Sequence, residues 1–265
     1  MVINRINELN NFMFTQQSLS TFESCPLKFK KRYIEKLKWG PAMGSAAKRR
    51  LEMGNDFHML ARRYFLGIDT GLEELTEEYR ELNTWLYNLM EAFKLNTSIK
   101  YLPEYRLRVI TPNLKLEANF DLLIIKDNSI EIWDWKTHQN TIGINRGVKS
   151  IKYSRSYQTM VYMFVLMEQA SKLVGREPEY SSISMYYWQP EPPRILGEIK
   201  YSREMHEEFE RALEAKISYI YTYDYSTFDK SLYSRHCSCC EFNWLCNEQR
   251  IDLNAIEGEI DSIME

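Results

Sequence analysis

The sequence predicts an α/β protein, a mixed central sheet flanked by helices with a helical part ahead of it. Three observations carry that prediction. From residue 18 to 96 the apolar residues recur mainly at helical spacing. The stretch EANFDLLIIKDNSIEIWDWKT, residues 117–137, reads as two apolar strands around a tight turn. Beyond it, helix and strand patterns alternate to about residue 220, the order of an α/β chain. With 265 residues, 44% of them hydrophobic, the chain can bury a substantial core.

In chain order, Ser20-Thr21-Phe22-Glu23 reads as a capping box. It opens a helix through Cys25 to about Leu37, with Pro26 tolerated in the first turns. Gly40-Pro41 ends it, and residues 45–66 form a helix that puts Gly54 and His58 on one face. Residues 72–94 form another, with Leu75, Leu82, Leu86, Leu89 and Phe93 along one side. A strand follows Pro103, carrying Glu104, Tyr105, Leu107 and Val109. The hairpin comes next, turning at Lys126-Asp127-Asn128-Ser129. Residues 138–151 are polar and punctuated by glycine, which suits a mobile loop over a substrate. A helix over 152–171 then sets Gln158 and Tyr162 on one face. Strands at 183–188 and 195–201 flank a proline-rich turn, and a helix spans 203–220.

Three charges interrupt the apolar hairpin: Asp121, Asp134 and Lys136. A buried charge is costly unless it is paired or bound to a metal. Positions 134 and 136 of a strand share a face, and Asp121 approaches from the neighbouring strand. Two carboxylates and an ammonium around one point suit Mg²⁺ or Mn²⁺ with a cationic helper. Gln158 and Tyr162 offer an amide and a hydroxyl to a phosphate or water, or form the polar edge of a packed helix. His58 taken alone reads as a satisfied, partly buried histidine. Glu104 and Glu117 are further acids near the sheet.

Of five cysteines, four lie in HCSCCEFNWLC: Cys237, Cys239, Cys240 and Cys246. A disulfide framework does not suit a chain of this size without a secretion signal. Cys237, Cys240 and Cys246 supply three closely spaced thiolates, and Cys25 completes the set if the two ends of the chain meet. Four thiolates fit Zn²⁺ or an iron–sulfur cluster, with His236 a further ligand in the zinc case.

The net charge of −3 hides an asymmetry: residues 1–63 hold twelve Lys or Arg against five acids, and the last fifteen residues hold five acids and no base. The basic part can hold a polyanion or form an ordinary solvated face. The eighteen tyrosines and six tryptophans read chiefly as core and rim, with some available to stack on bases. No run of about 18 apolar residues predicts a membrane span, and the N-terminus lacks a signal-peptide core, so a cytoplasmic protein is expected.

Together these residues resemble the PD-(D/E)XK nucleases, in particular the RecB-like group with an iron–sulfur cluster, of the Cas4 and AddB nuclease-domain type. The resemblance rests on His58 after Gly54, Asp121 in NFDLLI, Asp134-Trp135-Lys136, Gln158 to Tyr162 as QxxxY, and Cys25 with Cys237, Cys240 and Cys246. It covers residues 18–248. It implies a restriction-endonuclease-like core and a single nuclease domain over 1–265. Within that domain fall a helical N-terminal part (18–96), a catalytic core (98–220) and a cysteine segment (230–250). Cys25 completes that segment, so the cluster ties the two ends together. It implies a Mg²⁺- or Mn²⁺-dependent deoxyribonuclease, an exonuclease on single strands or DNA ends. Asp121, Asp134, the Trp135 carbonyl and His58 hold the metal, Lys136 orients water or offsets charge, and Gln158 and Tyr162 position the DNA or Lys136. Glu104 is the candidate for the first-motif acid. The four cysteines carry a 4Fe–4S cluster, with Zn²⁺ as the alternative occupant, and Cys239 has no role in the pattern. Implied partners are DNA and proteins of DNA repair, recombination, phage or CRISPR adaptation. The same residues also fit a catalytically weak DNA-binding accessory protein or an RNA or nucleotide phosphodiesterase. No Walker-type GKS or GKT is present, which excludes self-powered unwinding.

Overall fold

The computed structural model describes residues 9–38, 44–71, 79–137, 153–237 and 240–248. The N-terminal helix starts earlier than the sequence predicts, and it is broken. Helix α1 (Gln16–Ser24) is capped by Thr15, which exchanges hydrogen bonds with Ser18 at 2.9 and 3.1 Å. Ser20 to Glu23 therefore lies inside the helix rather than at its start. Pro26 has no N–H to continue the ladder, so the chain turns extended at Cys25 and restarts as α2 (Pro26–Phe29) with proline in the first turn. A π-helical turn, Lys30–Ile34, follows. Helix α3 (Ser45–Phe65) matches the expected span, and α4 (Arg80–Ala92) is the later part of the helix expected over 72–94. Residues 72–78 and the polar loop expected over 138–151 lie outside the described residues. Helices α5 (Tyr157–Val174) and α6 (Arg203–Thr222) each begin at a serine cap, Ser156 and Ser202. Two short helices, α7 (Ser234–Cys237) and α8 (Asn243–Asn247), come last. Among the described residues no helix is long and apolar enough to cross a membrane.

Five strands form one mixed sheet in sequential order: β1 (Lys100–Ile110), β2 (Lys115–Ile125), β3 (Ile130–Trp135), β4 (Ile183–Pro190) and β5 (Pro193–Lys200). Neighbours are antiparallel except β3 and β4, which are parallel. That parallel step requires a crossover, and α5 supplies it. The hairpin turns where expected, with Lys126 N–H donating to the Ser129 carbonyl at 2.9 Å. Strand β1 begins three residues before Pro103 rather than after it. The proline is accommodated because β1 is an edge strand.

Two apolar cores lie on opposite faces of this sheet. One gathers Phe14, Phe22 and Phe29 from the N-terminal part, Val161 and Phe164 of α5, and Phe209 and Leu213 of α6. The other gathers Phe57 and Phe65 of α3, Trp85 and Leu86 of α4, and Trp135 and Trp188 of the sheet. The residues of β1 and β2 trade faces part-way along. Leu116, Ala118 and Phe120 pack in the first core, whereas Leu122 and Ile124, of the same parity, pack in the second. Likewise Tyr105 and Leu107 face the first core and Tyr101 the second. The switch falls at Glu104 and Asp121, which stand opposite each other between the pairs Pro103–Leu122 and Tyr105–Phe120. Glu104 takes a left-handed backbone, φ 49°, unusual for a residue with a Cβ.

The two ends of the described chain meet, as expected, but charge joins them. Glu241, almost fully buried, lies 3.3 Å from Lys28 and pairs with Arg32 as well. These ion pairs stand where the sequence analysis expected a metal cluster.

Candidate active site

Where the faces switch, the sheet also opens. The β2–β3 ladder stops at the pair Leu122–Trp133, while β3 runs on beside β4 to Trp135–Trp188. The Trp135 N–H, no longer paired to the β2 backbone, donates instead to Asp121 Oδ2 at 2.7 Å. Asp121 thus spends one oxygen on the fork and keeps the other towards α3. His58 Nδ1 lies 3.4 Å from Asp121 Oδ1 and 3.5 Å from Glu104 Oε1. Asn119 Nδ2 donates to Glu104 Oε2 at 3.1 Å and holds that carboxylate in place. Gly54, one turn before His58, is buried in α3.

These three ligand atoms lie within 4.8 Å of one another. Burial alone would push the His58 imidazole down, but the carboxylates of Asp121 and Glu104 outweigh it and hold it up at about 10. The cluster therefore collects positive charge, here a proton.

Next to it is a closed group. Asp134, at the end of β3, is buried, and its Oδ1 accepts from Gln158 Nε2 at 2.5 Å. Lys136 Nζ donates to Gln158 Oε1 at 3.0 Å, lies 3.2 Å from Asp134 Oδ2, and sits over the Tyr187 ring. The backbone N–H of Lys136 donates to the Trp188 carbonyl at 2.8 Å, which continues the β3–β4 pairing past the strand end. Asp134 Oδ2 is buried and accepts no hydrogen bond. Burial pushes the Asp134 carboxyl up to about 7, with Lys136 opposing the shift and Asp121 adding to it. Tyr162, buried against Phe120, is pushed up by burial and by the charges of Asp134 and Asp121.

The sequence-predicted residues separate accordingly. His58, Asp121 and Glu104 meet in one cluster, and Asp134, Lys136 and Gln158 in the adjoining one. Gln158 does not extend its amide to an outside group, since both of its polar atoms are used internally. Trp135 contributes its N–H to the fork and its ring to the α3–α4 core. Two supporting residues carry no sequence signal: Asn119, which steadies Glu104, and Tyr187, whose hydroxyl lies 2.8 Å from Thr159 Oγ1 while its ring underlies Lys136.

The donor set fits a divalent cation. Carboxylate oxygens with one imidazole suit an oxygen-preferring metal. Asp134 Oδ2 is buried with the Lys136 ammonium 3.2 Å away as its charge partner, next to the three-ligand cluster.

The cysteine expectation is corrected. Among the described residues, the one group of three or more His, Cys, Asp and Glu ligand atoms within 4.8 Å of one another is His58, Glu104 and Asp121. Cys25, Cys237, Cys240 and Cys246 are free and form no such group, which argues against the 4Fe–4S cluster and its zinc alternative. Two of these sulfurs have local uses instead. Cys25 Sγ caps α2 by accepting the Lys28 N–H at 3.4 Å, and Cys240 Sγ accepts the Phe242 N–H at 3.4 Å. Burial pushes the Cys25 and Cys246 thiols up and takes Cys240 to about 11. Cys239 lies outside the described residues.

Residues 13–247 match the family model of the PD-(D/E)XK nuclease superfamily, and the chain belongs to that superfamily. Its general role is accordingly that of a nuclease-type hydrolase. The match stops at the superfamily and does not single out the RecB-like group. No curated protein gives a significant match. Among solved structures the chain is similar to a crystal structure from Eubacterium rectale whose exonuclease assignment is itself provisional. That similarity has 12% identity and a TM-score of 0.47, covering 83% of this chain and 84% of the other.

Proposed function

We propose that this protein is a metal-dependent deoxyribonuclease, acting as an exonuclease on single strands or DNA ends. The observation that carries the reading is the convergence of His58, Glu104 and Asp121 beside Asp134, whose buried Oδ2 accepts no hydrogen bond. Glu104, Asp121, Asp134 and His58 are the residues that would hold Mg²⁺ or Mn²⁺. When bound, such an ion lowers the pKa of its water and polarises a phosphate oxygen. The chain's own residues do the rest. Gln158 fixes the Lys136 ammonium against Asp134, so Lys136 reaches the reaction pre-positioned. There it orients the attacking water and offsets the negative charge that grows on the phosphate. Tyr162, neutral and packed behind Asp134 and Gln158, keeps the helix α5 side of the site dry. The burial of Asp134 keeps water from competing with Lys136 for its Oδ2. The preference for single strands or ends rests on the resemblance of His58, Asp121, Asp134-x-Lys136 and Gln158-x-x-x-Tyr162 to the RecB-like group.

The test is an assay on end-labelled single- and double-stranded DNA with Mg²⁺ or Mn²⁺, beside Lys136→Ala. Cleavage that needs the metal and disappears in the variant is expected, with a product ladder running in from one end. Absence of cleavage by folded protein that binds DNA firmly would replace the enzyme with an accessory DNA-binding role. Cleavage of RNA alone would move the substrate class.

A further inference from the structure

The site's carboxylates present a difficulty to any polyanion. Glu104, Asp121 and Asp134 crowd one point, and a phosphodiester strand carries the same sign of charge. A cationic surface on the same side of the sheet is needed to bring the strand in. Past Glu104, strand β1 supplies one. Tyr105, Leu107 and Val109 face the α5 core, so Arg106 and Arg108 project to the other side, the side on which His58 stands. Their side chains are 58% and 56% exposed. Arg106 pairs in register with Asn119, the residue that holds Glu104, and Arg108 pairs with Glu117.

A single carboxylate, Glu117, serves both guanidinium groups. Arg106 Nε lies 3.6 Å from Glu117 Oε1, and Arg108 Nε donates to Oε2 at 2.6 Å. Both contacts are made through Nε, and both side chains are more than half exposed. Two positive charges share one negative charge, so the pair keeps a net positive charge. As a stabilising device an exposed ion pair of this kind contributes little. As a ligand site it is pre-organised, because guanidinium forks match phosphate oxygens two at a time. Along the strand Arg106 and Arg108 stand about 7 and 14 Å from Glu104, a spacing on the scale of successive phosphates.

We propose that Arg106 and Arg108, steadied by Glu117, form a phosphate-binding track that seats a single DNA strand on one side of the scissile bond. This rests on the nuclease reading above. Its role is positioning, since phosphate contacts fix register and orientation without reading sequence.

The experiment measures binding of a labelled single-stranded oligonucleotide to the Lys136→Ala protein over a range of salt concentrations. Arg106→Ala/Arg108→Ala is then added in that background, and separately Glu117→Gln. The double substitution is expected to weaken binding about tenfold or more, and to lower the slope of log affinity against log salt by about 0.7 per arginine removed. Glu117→Gln keeps one acceptor oxygen to steady the forks, removes the competing negative charge and should tighten binding. In the cleaving protein the loss from the double substitution should fall on KM more than on kcat. Unchanged affinity and slope in the folded double variant, while the parent binds, would overturn the track and leave the nuclease reading standing. Failure of the parent to bind or cleave any DNA would remove the nuclease reading and this inference together.

Discussion

The two halves of the site use the same chemical groups and treat them in opposite ways. The open half, His58, Glu104 and Asp121, lies towards α3, with side chains of His58 and Glu104 roughly a third exposed. Asp121 and Glu104 each give one oxygen to a neighbour, Trp135 N–H and Asn119, and turn the other to His58, whose imidazole they hold towards its charged form. The closed half, Asp134, Lys136 and Gln158, is 4% exposed at Asp134 and already holds its cation in the chain. On the proposed reading, one half exchanges a ligand with solvent and the other holds a lysine still. The difference suggests that metal affinity and lysine placement are separable properties, although the two halves meet along a single fork between β2 and β3.

The largest expected break is in turnover. Lys136→Ala should lower cleavage by about a thousandfold, the scale of losing one charge-stabilising group, while Mn²⁺ binding measured by calorimetry persists. Loss of metal affinity in that variant would join the two halves. Next comes stability. Asp134→Ala leaves the Lys136 ammonium and the Gln158 amide without their acceptor in a buried place, at a cost of about 3 kcal/mol in chemical denaturation. Glu104→Gln, in the open half, should leave denaturation nearly unchanged while weakening Mn²⁺ on the order of tenfold. If Glu104→Gln destabilised the fold as much as Asp134→Ala, the contrast between the halves would be lost.

The smallest effect concerns a histidine unlike His58. His206 is buried against Phe164, with Tyr201 Oη 2.9 Å from Nδ1 and Glu168 3.4 Å from Nε2. Burial lowers its pKa, with Glu168 and Glu210 opposing. A folded-state pKa below 6.5 means that the unfolded chain takes up the proton first. The stability His206 confers is then complete above 6.5 and lost as pH falls through the folded value. His206→Phe should flatten the fall in Tm between pH 7 and 5 by a few degrees. An identical pH profile in the variant would show that the histidine is not felt.

Much of this was legible in residue order. The hairpin showed because the apolar run stops at Lys126 and resumes after Ser129, and its charges showed because they break that run. Even the change of faces leaves a trace: alternation holds through Phe120 and fails in the doubled apolar pairs after Asp121. Glu104 was harder, because its left-handed backbone and its bond from Asn119 are tertiary facts. The N-terminal helix was misplaced because Ser20 to Glu23 imitates a cap, whereas Thr15 and Ser18 form one and Pro26 forces a break. The cysteine spacing was equally persuasive and misled for a related reason. Spacing permits ligation, but two of these sulfurs are occupied with the backbone at helix and turn starts.

The backbone at Glu104 has one more consequence. A side chain held at φ 49° is disfavoured there, and glycine would relieve it at once. Glycine would also delete the carboxylate. Variants selected for heat resistance alone should therefore accept Glu104→Gly readily and emerge sturdier and inert. If Glu104 holds the metal as proposed, a screen for stability alone would remove the group that the reaction needs.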